Sequence, residues 1–264
     1  AGINHVKISA GYRLSYPDEK LFTFYLDEFE TKLFDLQEGV YTCLIENEDC
    51  EEQILTPGID DEIFSRTKVP MTKNEVRVLS ISRLELTKNY DVGSGTGSVS
   101  IECARLSPDI FVFAIEQKEE AANLTKENAV RFGLSDQIVV INKKAPEGFE
   151  ELPTPTHVFI GGSSGALSDI LSAIQKKLIV KENTKGKTDK ASKGVRVVIN
   201  AVSLETIAQI TKLIQTYPVK HVQLTQIQAS RAHKLGSYNL MQAQNPVLIA
   251  SFNLLPGDKM EADE

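Results

Sequence analysis

Seven residues, Asp91-Val92-Gly93-Ser94-Gly95-Thr96-Gly97, carry the most legible chemistry of this 264-residue chain. Three glycines alternate with small polar residues, and an aspartate stands just ahead of them. A glycine turns the backbone sharply and leaves no Cβ in the way of a ligand. A helix predicted from Ser98 to about Leu106 points its free N–H groups back at this turn. Such a turn can hold the carboxylate and ribose of a nucleotide-like molecule. Downstream, Glu116 ends the apolar run Ala114-Ile115. A carboxylate there can accept both hydroxyls of a ribose through strong charge-assisted bonds.

The spacing G-x-G-x-G differs from the G-x-G-x-x-G of dinucleotide enzymes, whose third glycine comes one residue later. With Asp91 in front, it favours S-adenosylmethionine over NAD. Asp91 is expected to order the loop or to reach the methionine amine. A second small-residue turn, Gly161-Gly162-Ser163-Ser164-Gly165, follows the run His157-Val158-Phe159-Ile160. It is either a plain strand-to-helix turn or a site wall with serine hydroxyls as donors. Thr72 opens Thr-x-x-Glu with Glu75, the pattern of a capping box at a helix start. Arg231, His233, Lys234 and Tyr238 lie between two late strands. They fit either a solvated hairpin or a set of donors for an anionic ligand. His5, His157 and His221 have no metal-ligand spacing, and no metal site is expected. Cys103 is expected in the core. No Ser-His-Asp or Cys-His pattern stands out, so no catalytic residue is named.

The elements that must position these groups alternate in type. The run Ile110 to Ile115 is continuously apolar, as a buried parallel strand requires. A helix is predicted over Lys118–Arg131, with Gly133 as its stop. Further strands are predicted at Ile138–Ile141, His157–Ile160, Arg196–Ile199, His221–Ile227 and Val247–Phe252. Helices are predicted at Ala166–Leu178 and Leu204–Ile214. This order implies a doubly wound sheet with its ligand beyond the carboxyl ends of the strands. The lysine-rich stretch from Val180 to Gly194 has no periodicity and reads as a surface loop. Residues 1–55 stand outside the alternation, with a turn at Tyr16-Pro17-Asp18 and one strand at Val40–Glu46. One strand and a short helix cannot bury a core alone.

The composition is that of a globular chain: 41% hydrophobic, 25% charged, formal net charge -7. That charge argues against nonspecific nucleic-acid binding. Three cysteines (Cys43, Cys50, Cys103) without a C-x-x-C pair fit a reducing compartment. No apolar run is long enough to span a bilayer, and the first residues lack a leader pattern, so a cytoplasmic protein is expected.

Several separated segments carry a resemblance. They are Gly58-Ile59-Asp60-Asp61-Glu62-Ile63-Phe64, Lys68 to Arg77, Asp91 to Glu102, Phe159 to Ser163, and Asn200-Ala201-Val202-Ser203-Leu204-Glu205-Thr206. Together they resemble the decarboxylating carbon-15 methyltransferases of cobalamin biosynthesis, which act on a precorrin or cobalt-precorrin. The resemblance covers roughly residues 58–252. It implies a Rossmann-like class I methyltransferase fold, with a mostly parallel seven-stranded sheet and an antiparallel last strand. It implies S-adenosylmethionine on Thr72, Asp91, Gly93, Ser94, Gly95, Thr96, Gly97, Glu116, Gln117 and Ala145. It places the macrocycle near Gly162, Ser163, Ser164, Arg231, Lys234 and Tyr238. A tetramer is implied as well. Two departures stand out. Leu86-Thr87-Lys88-Asn89-Tyr90 offers little of the apolar strand that the family has before Asp91. Asn142-Lys143-Lys144 stands where an acidic residue usually faces the adenine.

The segment Leu14-Ser15-Tyr16-Pro17-Asp18-Glu19-Lys20, with the strand up to Glu46, is similar to the end of the carbon-5 methyltransferases of the same pathway. On that resemblance, residues 1–55 are the tail and linker of a fused carbon-5 methyltransferase domain, and 56–264 form the carbon-15 domain. Two other functions remain open on the residues alone. One is a methyltransferase acting on RNA or another small molecule. The other is a noncatalytic, cofactor-binding platform for a fused partner.

Overall fold

Alternating apolar runs and amphipathic segments build a seven-stranded sheet with helices on both faces in the second of two units, Ala1–Ile54 and Leu55–Glu264. The computed structural model describes residues 6–32, 38–47, 56–86, 90–94, 97–185 and 194–257. The first unit holds β1 (Val6–Tyr12), β2 (Lys20–Tyr25), the single-turn α1 (Phe29–Lys32) and β3 (Tyr41–Asn47). They form an antiparallel sheet in the order β2-β1-β3. The expectation of a single strand here is therefore corrected to three. In β2, Leu21 is 71% exposed while Phe24 is buried, so apolar residues lie on both faces and no alternation marks the strand. The turn near Tyr16 is present, with the Tyr16 N–H donating to the Arg13 carbonyl at 3.0 Å.

The second unit runs α2 (Asn74–Leu84), β4 (Tyr90–Ser94), α3 (Gly97–Arg105), β5 (Ile110–Ile115), α4 (Glu119–Arg131), β6 (Ile138–Ile141) and β7 (His157–Ile160). It continues with α5 (Leu167–Lys185), β8 (Val195–Ala201), α6 (Leu204–Thr216), β9 (Val219–Ile227), β10 (Ser230–Leu235), β11 (Tyr238–Ala243) and β12 (Val247–Leu254). The sheet order is β6-β5-β4-β7-β8-β12-β9, with β10 and β11 forming a separate hairpin. β4 to β8 are parallel, and β12 is antiparallel to both β8 and β9. From β4 the chain goes to β5 and β6 on one side and to β7 and β8 on the other. The strand order thus reverses at β4, the switch point beyond which open α/β sheets bind their ligands.

Strand alternation distributes the core to the two faces of this sheet. Phe159 and Val198 join the cluster packed on α2, α3 and α4, through Leu84, Val99, Ile101 and Ala129. Their neighbours Val158, Ile160, Val197 and Ile199 join the cluster packed on α5 and α6, through Leu171, Ile174 and Ile210. Cys103 lies in the first cluster, where burial pushes its thiol pKa up. The helix predicted to end at Leu178 continues to Lys185, so the expected loop is helical at its start. Residues 186–193 lie outside the described residues. Among the described residues the central strand spans Tyr90–Ser94 and pairs with β7 through Val92↔His157 and Gly93↔Val158; residues 87–89, where the sequence offers little of an apolar strand, lie outside them.

A buried ionic network ties the segment before α2 to α3. Arg77, with no exposed surface, donates its Nε to Glu102 Oε1 on α3. Its terminal nitrogens reach Asp61 Oδ1 at 3.1 Å, the Thr72 carbonyl at 2.6 Å and the Ile59 carbonyl. Glu102 also accepts the backbone N–H groups of Gly58 (2.6 Å) and Ile59 (3.2 Å). The guanidinium lies 4.9 Å from the centre of the Phe64 ring. Asp61 Oδ2 takes a further bond from Arg231 at 3.1 Å, and Lys73 lies 3.8 Å away. Arg231 in turn grips Glu75 with two parallel bonds of 2.8 and 2.7 Å. Three cations thus meet three carboxylates.

Two predictions follow from this packing. Arg77→Met leaves Asp61 and Glu102 buried without their main partner, and removing one member of a buried pair costs about 3–5 kcal/mol. Urea unfolding should show that loss, and adding Glu102→Gln should recover part of it. The second concerns His157, which is buried beside Arg196 and 3.0 Å from Thr156 Oγ1. Burial first, and the Arg196 charge second, lower its pKa from 6.5 to about 4. Between those values only the unfolded chain takes up the proton. The stabilisation is complete above pH 6.5 and is lost as pH falls toward 4. Melting temperatures across this window should fall with pH, and His157→Gln should flatten the dependence.

Candidate active site

β4 places Asp91, Gly93 and Ser94 in the centre of the sheet, with Gly93 and Ser94 beside Phe113 and Ala114 of β5. Gly95 and Thr96 lie outside the described residues. Gly97 opens α3, and its lack of a side chain serves helix packing. A Cβ there would stand 2.6 Å from Thr125 Oγ1 and 3.2 Å from the Thr125 Cα on α4. The third glycine therefore lets two helices approach, whatever it also does for a ligand.

Glu116 is the first residue beyond β5 and is half-buried. Its Oε1 accepts the Lys118 N–H at 2.8 Å, which orients the carboxylate at the strand end. Its own backbone carbonyl accepts from Asn142 Nδ2 at 2.8 Å. Asn142 thus braces the chain where an acidic residue was expected. Ala145, after β6, is half-buried against the second core cluster. Gln117 Nε2 donates to Ser164 Oγ at 2.9 Å. One partner follows β5 and the other follows β7, so the bond joins the two strands that flank β4. Ser164 adopts a left-handed backbone (φ 47°) and Gly165 another (φ 87°), which together turn the chain from β7 into α5.

A cavity of about 840 Å³ opens at the carboxyl ends of β7 and β8. Its walls are the 70–73 loop, the 161–165 turn, Asn200 to Ser203, and residues of the β10–β11 hairpin including Arg231 and His233. Gly162, Ser163, Ser164 and Thr72 all line it. The expected capping box at Thr72 does not form. Lys73 is the residue before the first helical position and gives no side-chain cap, and Glu75 is taken by Arg231 instead. That pairing holds the Glu75 carboxyl below the usual carboxylate range and raises the Arg231 pKa.

Arg231 reaches the cavity wall, but Nε, Nη1 and Nη2 all donate within the chain, to Glu75, Asp61 and Asn74. Its place is that of a clasp between hairpin and α2, at the cavity wall. Lys234 and Tyr238 sit farther out on the exposed hairpin and do not line the cavity. Asn200, Ala201 and Val202 do line it, although sequence reasoning gave them no role. Ser203 serves as the cap of α6, accepting the Thr206 N–H at 3.2 Å. Among the described residues no His, Cys, Asp and Glu cluster could hold a metal. None of their helices is long and apolar enough to cross a membrane.

Comparison with known proteins places this geometry. A family model described as a precorrin methyltransferase domain matches residues 62–253. A probable cobalt-precorrin-6B C(15)-methyltransferase (decarboxylating) from Pyrobaculum calidifontis is 38% identical over 199 residues, covering 74% of this chain and 94% of the relative. The crystal structure of precorrin-6y C5,15-methyltransferase from Geobacter metallireducens superposes with a TM-score of 0.62 at 28% identity, covering 75% of this chain and 96% of that one. A precorrin 8W decarboxylase from Methanobacterium thermoautotrophicum also gives 0.62, at 27% identity, covering 74% of this chain and 100% of that one. The reversed strand order is therefore that of a Rossmann-like methyltransferase, and the chain belongs to the precorrin methyltransferase family.

Proposed function

We propose that this chain methylates carbon-15 of a precorrin macrocycle and promotes loss of an acetate arm as carbon dioxide, in the assembly of the corrin ring. The observation that carries this reading is the cavity at the ends of β7 and β8, beside the switch point at β4, in a chain of this family. S-adenosylmethionine supplies an activated methyl group carried on a sulfonium.

The residues present fit that cofactor. Glu116 offers a half-buried carboxylate, oriented by the Lys118 N–H, at the strand end where ribose hydroxyls are bound in folds of this kind. The run Gly93-Ser94-Gly95-Thr96-Gly97, between β4 and α3, brings little side-chain bulk against a ligand. Asp91, Gln117 and Ala145 complete the proposed cofactor set, and Thr72 closes it from the cavity side. Gly162, Ser163 and Ser164 leave room for a flat ring and offer hydroxyl donors. Alignment of ring carbon and methyl donor within these walls can supply on the order of 7–11 kcal/mol of the barrier. The nucleophile is the electron-rich ring carbon itself, so the reaction asks no nucleophile of the protein. The same ring accepts the electron pair released on decarboxylation.

The tetramer and the carbon-5 methyltransferase reading of residues 1–55 belong to this proposal and rest on the resemblance of their segments. The exposed Tyr238, Leu240 and Met241 of β11 supply apolar surface for such an assembly. Incubation with a precorrin substrate and methyl-labelled cofactor should put label into the corrinoid. Absence of label there, with cofactor bound, contradicts the proposal. Glu116→Ala should weaken S-adenosylhomocysteine by roughly ten- to a hundredfold in calorimetry, the loss expected for bonds to a charged acceptor.

A further inference from the structure

The chain carries a formal net charge of -7, yet no aspartate or glutamate stands among the described residues that line the cavity at β7 and β8. The charged or titratable side chains of that wall are Lys73, Arg231 and His233. Lys73 and Arg231 differ in what they have already bound. Arg231 uses its Nε, Nη1 and Nη2 on Glu75, Asp61 and Asn74. Lys73 Nζ stands 3.8 Å from Asp61 Oδ2, beyond hydrogen-bond reach, and donates to no acceptor among the described residues. Its side chain is 43% exposed.

Asp61 is satisfied without the lysine. Its two oxygens accept from Arg77 Nη1 and Arg231 Nη1, both at 3.1 Å. Glu102 and Glu75, the other carboxylates of the network, are held by Arg77 and Arg231 in the same way. The ammonium therefore keeps its donors for an occupant of the cavity. Lys73 Nζ and Arg231 Nη1 approach the same oxygen of Asp61, so two positive charges stand together where the 70–73 loop meets the hairpin. An anion is drawn to such a corner. The macrocycle of the proposed function carries several acetate and propionate arms, each ending in a carboxylate. Glu116 and Gln117 of the proposed cofactor set are not in these walls, so the cavity is the macrocycle's side of the site.

We propose that Lys73 is a substrate-positioning residue whose ammonium anchors one carboxylate arm of the macrocycle and so selects for the charge of the substrate. This rests on the precorrin reading of the cavity. A compact charge on a flexible stem can follow an arm into place, which a guanidinium already held by three side chains cannot do. His233, on the hairpin wall, offers one ring N–H even when neutral and is a weaker donor for another arm.

The test uses the full chain with Lys73→Gln, Lys73→Arg and His233→Ala. Asp61 keeps both guanidinium bonds in the lysine variants, and melting temperatures check that they fold as wild type does. In Lys73→Gln, KM for the precorrin substrate should rise about tenfold with kcat within about twofold, the pattern of lost uniform binding. Lys73→Arg should bring KM back to within about threefold of wild type. His233→Ala should raise KM by less than Lys73→Gln. S-adenosylhomocysteine should bind Lys73→Gln within about twofold of wild type in calorimetry. Methyl esterification of the macrocycle's arms, read by transfer of labelled methyl, should raise KM in wild type. In Lys73→Gln that penalty should be about tenfold smaller, because anchor and charge act as one pair. An unchanged KM in Lys73→Gln overturns the proposal, as does an esterification penalty equal to that of wild type. A loss of S-adenosylhomocysteine affinity as large as the rise in KM places the lysine on the methionine carboxylate and also overturns it. So does a larger effect from His233→Ala, which moves the anchor to the hairpin. A wild-type chain that puts no label into the macrocycle fails the proposed function itself, which distinguishes the two.

Discussion

Arg77 holds together the parts from which the cavity is made. Its guanidinium is buried completely, so each of its donors has to find an acceptor inside the protein. The acceptors come from α3 through Glu102, from the 59–61 segment through Asp61 and the Ile59 carbonyl, and from the 70–73 loop through the Thr72 carbonyl. Satisfying one side chain therefore fixes three segments against one another. One of them, α3, starts where the glycine-rich turn ends. Another carries Thr72 to the cavity wall. Asp61 extends the constraint to Arg231 and the hairpin that forms the opposite wall. A network of this kind contributes more to the definition of one geometry than to net stability.

The sheet supplies the other half of the site. The strand order reverses at β4, and Glu116 and the 161–165 turn follow the strands on either side of it. Gly97 belongs to both halves. It starts the helix that follows β4, and its missing side chain allows α3 to rest on Thr125 of α4. The turn and the helix packing behind it are thus one structural requirement, expressed in a single residue type.

The parts of this arrangement that the sequence reveals are those governed by local pattern. β5 and β7 read as strands because their apolar runs are continuous, and all four residues of β7 are buried. α6 reads as a helix because a serine cap and a helical apolar face coincide. What escapes a linear reading depends on partners distant in the chain. Thr72 and Glu75 have the spacing of a capping box, but Glu75 is claimed by Arg231, 156 residues away. Arg231 has the chemistry of a substrate ligand, and only the fold shows that its Nε, Nη1 and Nη2 each donate to Glu75, Asp61 or Asn74. β2 carries exposed Leu21 and Tyr25 beside buried Phe24 and so lacks the period that marks a half-buried strand, whereas β1 does alternate, Val6-Lys7-Ile8-Ser9-Ala10, a period legible in the sequence. The end of α5 is polar on all sides, which a solvated helix and a loop share.

The central claim is that the switch point at β4 and the cavity at β7 and β8 are two ends of one methyl-transfer site. A crystal structure of the full chain with S-adenosylhomocysteine and a precorrin analogue tests it most directly. The account predicts ribose density on Glu116, sulfur directed toward the cavity, and the macrocycle between the 161–165 turn and Asn200. Cofactor density elsewhere, or a macrocycle bound away from that cavity, would contradict it.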